Sequence, residues 1–152
     1  MRRVAVGATV AGLALVSGCS GTVEVPVPDP QGAAAEQCRA LVEGAPDELF
    51  GEARATVEPE SPYTAAWGDP PIALRCGVER PAGLLPDSEL MVVDDIAWLP
   101  QPPDRPTLYT AVGREAYVEM TVPPSYGPPA EALVAVSALI ADGVPALPGG
   151  EL

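Results

Sequence analysis

The sequence predicts an α+β domain: a two-layer fold in which an antiparallel sheet of four or five strands is covered on one face by an N-terminal and a C-terminal helix. Three observations carry that reading. Ala34, Cys38, Leu41 and Ala45 recur at helical spacing early in the chain. Leu133, Val136 and Ile140 do the same near its end. Between them the apolar residues alternate with polar or small ones, the period of a strand with one buried face.

The first helix runs from about Gly32 and stops at Gly44, ahead of Pro46. Asp47 to Phe50 reads as one further helical turn. Glu58 to Pro71 is a Pro-rich irregular stretch with a turn at Gly68-Asp69-Pro70-Pro71. Ile72, Leu74, Cys76 and Val78 then alternate with Ala73, Arg75 and Gly77, as the face of a strand does. Leu90 to Val93 and Ile96 to Leu99 flank Asp94-Asp95 as a hairpin, and Pro100 to Pro106 form a rigid loop. Thr107 to Val112 and Glu115 to Val122 flank Gly113-Arg114, where Gly at the first central position fits a type II′ turn. That register puts Tyr109, Ala111, Ala116, Val118 and Met120 on one face, the core face, and Thr110, Tyr117 and Glu119 on the other. The last helix spans about Pro129 to Asp142, with prolines at its entry, Glu131 in its first turn and Gly143 closing it.

Ahead of the domain stands an export signal. Arg2 and Arg3 precede an apolar run over residues 4–16, followed by Ser17-Gly18 and then Cys19. The run is 13 residues long, against roughly 20 for a helix that crosses a bilayer. Residues 1–18 therefore read as a lipoprotein signal peptide. Cleavage would leave Cys19 as the lipidated N-terminus, held by acyl chains on the extracytoplasmic face of the cell membrane. An ordinary secretory signal cleaved without lipidation is the competing reading; the Cys directly behind Val16-Ser17-Gly18 favours the first. Residues 19–31, with Pro26, Pro28 and Pro30, read as the lipidated Cys and an extended tether, and residues 32–152 as a single globular domain. A first strand at Thr22 to Val27 is the alternative to the tether.

Once residues 1–18 are removed, six Arg face 21 acidic residues, a formal charge of −15. Such a chain repels nucleic acid and anionic headgroups alike, so the membrane is expected as a partner only through the lipid. The chain has neither Lys nor His. That removes the usual general base, the usual activator of Ser or Cys, and the commonest metal ligand. No cofactor and no metal site is expected.

With Cys19 lipidated, Cys38 and Cys76 remain as an even pair in an oxidising compartment and are expected to bond to each other. Each lies on the apolar side of its own element. Two free buried cysteines is the alternative, while a zinc or redox role has neither a CxxC nor a His to support it.

The chain resembles a family of small actinobacterial exported lipoproteins catalogued only as a domain of unknown function. The residues that carry the resemblance are Cys38 with Leu41, the block from Ser61 to Gly77 (SPYTAAWGDPPIALRCG), Trp98-Leu99-Pro100, and Val112-Gly113-Arg114 with Ala116-Tyr117-Val118. The resemblance implies an exported, cysteine-paired domain at the cell envelope and brings no activity with it.

Tyr63, Trp67, Asp69 and Arg75 cluster in one irregular segment, and aromatic and Arg side chains on loops are common anchors of a recognition surface. They form the candidate binding surface, for an envelope protein or ligand still to be identified. The competing reading has Trp67 in the core and Arg75 paired with an acid. A small envelope hydrolase is the alternative function, with Asp94 and Asp95, or Asp87 and Glu89, as paired carboxylates. Adjacent acids in a short turn are ordinarily solvated, no Ser sits in a GxSxG setting, and no calcium-loop pattern is present, so a non-enzymatic interaction domain is favoured.

Overall fold

The computed structural model describes residues 21–152; the expected signal peptide and Cys19 lie outside the described residues. In chain order the elements are β1 (Thr22–Glu24), α1 (Ala33–Glu43), β2 (Glu48–Leu49), β3 (Glu52–Ala53), β4 (Thr56–Glu58), β5 (Thr64–Trp67), β6 (Ile72–Val78), β7 (Met91–Val93), β8 (Ile96–Gln101), β9 (Leu108–Val112), β10 (Tyr117–Thr121) and α2 (Ala130–Gly143). The fold is α+β and its main sheet is antiparallel, with six strands in the order β5-β6-β10-β9-β8-β7. The strand beyond the expected four or five is β5. Its residues Thr64 to Trp67 are buried throughout, so they show no alternation to betray a strand.

Both helices pack on one face, α1 over β6 and α2 over β7 and β8. Cys38 and Leu41 of α1 and Leu133, Val136 and Ile140 of α2 meet Leu74, Cys76, Trp98, Ala111, Val118 and Met120 of the sheet. The hydroxyl of Ser137 accepts the indole N–H of Trp98 at 3.0 Å, which satisfies both groups inside the core. Cys38 and Cys76 are bonded, with Cα atoms 5.2 Å apart, and tie α1 to the second strand of the sheet.

The β9–β10 hairpin buries the expected face: Tyr109, Ala111, Ala116, Val118 and Met120 are all inside. Its turn differs. A two-residue turn would pair Ala111 with Ala116, whereas Ala111 faces Val118. The longer loop is held by the chain that follows α2, since Glu115 N–H donates to Pro145 O and Leu147 N–H to Gly113 O. A slip of two residues restores the same faces, because side chains alternate with period two.

Asp47 to Phe50 do not add a helical turn. They lead into a tight hairpin, β2–β3, whose turn residues Phe50 and Gly51 have φ of 52° and 75°. Positive φ is costly for Phe. Here the backbone N–H of Phe50 donates to the Glu131 carboxylate, and its ring packs 5.5 Å from that of Tyr126.

The segment expected as a tether is docked. β1 runs parallel to β4 from Thr22↔Thr56 to Glu24↔Glu58, and Val25 N–H extends the ladder to Glu58 O. Val25, Pro28 and Pro30 are buried. Arg75 Nε donates to Pro26 O at 2.8 Å, and Pro30 lies so close to Gly77 that no Cβ would fit there. Gly77 also has φ of 85°, so glycine is required twice over. Residues 25–30 thus cross the face of β6 opposite the helices. Nearer the other edge, that face is covered by Leu84, which packs with Leu99 and Val112.

Register fixes the two ends of the sheet. Trp67↔Ile72, Thr121↔Ala73, Thr121↔Leu108 and Gln101↔Leu108 place the Gly68–Pro71 turn, the Pro102–Thr107 loop and the Val122–Pro129 connection at one end. Asp94-Asp95 and the loop after Val112 lie at the other.

Candidate functional site

The structure separates the four residues of the candidate surface. Trp67 is 0 % exposed. Its indole N–H donates to Pro46 O at 2.9 Å, and the guanidinium of Arg54 lies 6.0 Å from its ring. Arg54 in turn donates to Val42 O and Ala45 O, so it ties down carbonyls at the C-terminal end of α1 while closing the space over the indole. Trp67 is core, and the surface reading of it is corrected. It reaches the core because Trp67 faces Ile72 across the ladder and shares that residue's inward side.

Arg75 sits mid-strand on the opposite side of the sheet. Its Nη1 meets Glu119 Oε1 at 2.7 Å, with the two side chains 25 % and 14 % exposed. They are direct cross-strand partners. A partly buried cross-strand pair of this kind contributes about 1 kcal/mol, and it commits the guanidinium internally. Tyr63 is half-buried beyond the far end of β5; its backbone N–H donates to Ser61 Oγ and its carbonyl accepts from Cys76 N–H. Only Asp69 is exposed, in the turn at the proline-rich end.

Asp69 belongs to a different assembly, an open cleft of about 590 Å³. Three segments build it. Gly21 to Glu24 line it from the first, Glu52, Ala53 and Ala55 from the second, and Gly68, Asp69 and Pro71 from the third. Gly68 has φ of 69°, and a Cβ there would collide with the Tyr126 hydroxyl and meet Glu52 Cγ at 2.8 Å, so glycine lets the turn close on its neighbours. The Tyr126 hydroxyl donates to Pro70 O at 2.9 Å and braces the turn from behind. Burial first, and then the charges of Glu52 and Asp69, push the Tyr126 hydroxyl above its usual value. The lining carries three carboxylates, Glu24, Glu52 and Asp69, and no basic side chain.

Glu24, Glu52 and Tyr126 were not singled out in the sequence. The parallel β1–β4 pairing brings in Glu24 and the β2–β3 hairpin Glu52, while Tyr126 arrives from the connection after β10; none of these leaves a strong local signature. The flagged Gly68-Asp69-Pro70-Pro71 turn was the one available pointer.

The carboxylate pairs expected for a hydrolase lie on a turn and a loop. Asp94 and Asp95 form the β7–β8 turn with φ of 47° and 62°, and Asp87 and Glu89 are exposed on the loop before β7. Among the described residues no cluster of His, Cys, Asp and Glu is arranged to hold a metal ion, and no helix is long and apolar enough to cross a membrane.

Fold and site together define a small disulfide-stapled α+β domain with an acid-walled cleft at one end of its sheet. A family model described as a protein of unknown function (DUF3515) matches residues 3–149, and the chain belongs to that family. Neither the curated proteins nor the solved structures contain a match.

Proposed function

We propose that this protein is an exported lipoprotein, held on the extracytoplasmic face of the cell membrane through Cys19, whose domain acts as a binding or interaction module at the envelope. The observation that carries the location is the pairing of Cys38 with Cys76, which leaves Cys19 as the odd cysteine directly behind Val16-Ser17-Gly18. Structural disulfides persist in oxidising compartments, so the bond supports export. The family match begins at residue 3, so the apolar run and Cys19 fall within it.

Magnitudes favour the lipid as the sole anchor. Burial of acyl chains is worth about 0.8 kcal/mol per CH₂, so two long chains exceed roughly 20 kcal/mol. Each acid near an anionic surface opposes this by about 1 kcal/mol, if repulsion mirrors the attraction of a basic residue. The anchor wins against the acidic domain. Cys19→Ala should shift the protein from the membrane fraction to the medium or leave it uncleaved. Wild-type fractionation and migration of that variant would remove the anchor.

The binding reading rests on the cleft. Its volume lies within the range of ligand sites, and its walls are held by the Gly68 turn and the β1–β4 ladder. A partner presenting positive charge suits three carboxylates without a counter-charge. Asp69→Arg should abolish recovery of that partner by crosslinking and co-purification from detergent-solubilised membranes, with the thermal midpoint nearly unchanged, because Asp69 is exposed. Unaltered recovery would eliminate the cleft as the site.

A further inference from the structure

We propose that the proline-rich end of the sheet, where the chain enters the domain at Gly21, is held against the lipid surface itself, so that the domain has one fixed orientation on the membrane. The inference rests on the lipid anchor at Cys19 proposed above. Its ground is the length of chain between that anchor and the first pinned residue.

β1 begins at Thr22, locked to Thr56 by the parallel ladder, and Val25, Pro28 and Pro30 behind it are buried. Only Ser20 and Gly21 separate Cys19 from Thr22. Three Cα steps reach at most about 11 Å. A domain of this length has a radius of gyration of about 14 Å and is therefore about 35 Å across. The leash is a fraction of the body it holds. The domain cannot tumble freely, and the end bearing Gly21 stays at the lipid.

Gly21 lines the cleft beside Gly68, Asp69 and Pro71, which places the chain's entry at the end where the Gly68–Pro71, Pro102–Thr107 and Val122–Pro129 segments gather. Pro70, Pro71, Pro102, Pro103, Pro124 and Pro128 are all exposed there. Proline rings are apolar, fix φ and carry no backbone N–H. Such loops lose little conformational freedom and leave few unmet donors when pressed against an interfacial layer. Charge does not set the orientation, since Glu24, Glu52, Asp69 and Asp104 outnumber Arg105 at this end. The leash does, so the orientation should be insensitive to salt.

The full lipidated protein, reconstituted in phosphatidylcholine–phosphatidylglycerol vesicles with headgroup spin-labelled lipid, provides the test. A fluorophore is placed at Ser125→Cys, at the proline-rich end, or at Asp95→Cys, at the other. Quenching should be several-fold stronger at residue 125 than at 95, in low and high salt alike. A flexible Gly-Ser insert of 20 residues between Ser20 and Gly21 should erase the difference. Equal quenching at both ends of the uninserted protein, or stronger quenching at 95, overturns the orientation while vesicle flotation of the same samples leaves the anchor standing. Failure of the wild-type protein to float, with Cys19→Ala behaving identically, overturns the anchor and the orientation with it.

Discussion

Trp67→Ala is expected to cost about 3 to 5 kcal/mol, the usual range for truncating a fully buried aromatic. Against a total stability of roughly 5 to 15 kcal/mol for a domain, that approaches the unfolding threshold. The indole fills the core between the C-terminal end of α1 and the β5–β6 hairpin, and its loss also orphans the carbonyl of Pro46. Trp67→Phe should lose less, since most of the volume stays and only the hydrogen bond goes. Denaturant midpoints of the two variants decide the matter: a near-normal midpoint for Trp67→Ala would mean that the indole lies outside the core.

Cys38→Ser should be of similar size. Opening a loop between cysteines 38 residues apart restores about 4 kcal/mol of chain entropy to the unfolded state in the loop-closure model. The substitution further buries a hydroxyl at a site with no exposure, adding a polar-burial cost of about 1 to 3 kcal/mol if it finds no acceptor. Thiol counting of the denatured, non-reduced domain without Cys19 should find none free. Two free thiols would remove the cross-link between α1 and β6, and the oxidising compartment inferred from it.

The parts of this fold visible in the sequence are those whose burial is one-sided. α1 and α2 present an apolar stripe, β6 alternates cleanly, and the β9–β10 faces withstand an error of two residues in the turn. β5 was hidden because Thr64, Ala65, Ala66 and Trp67 are buried on both faces. The β2–β3 turn was hidden because Phe50 takes a positive φ that only tertiary contacts with Glu131 and Tyr126 sustain. The docking of residues 22–30 depends on partners far along the chain, Thr56 to Glu58, Arg75 and Gly77, which no local pattern announces.

The same reasoning explains the candidate site. Tyr63, Trp67, Asp69 and Arg75 are close in sequence, but the strand geometry of β5 and β6 sends Trp67 to one face of the sheet and Arg75 to the other. Tyr63 and Asp69 lie beyond opposite ends of β5. What remains is the turn at Asp69, and the cleft around it is completed by residues 21–24 and 52–55.

The intact mass of the protein extracted from membranes tests the proposed anchoring most directly. A chain starting at Cys19, heavier than its polypeptide by a diacylglyceryl group and lighter by the two hydrogens of one disulfide, is the expected result. A chain beginning at any other residue, or at Cys19 without lipid, would contradict it.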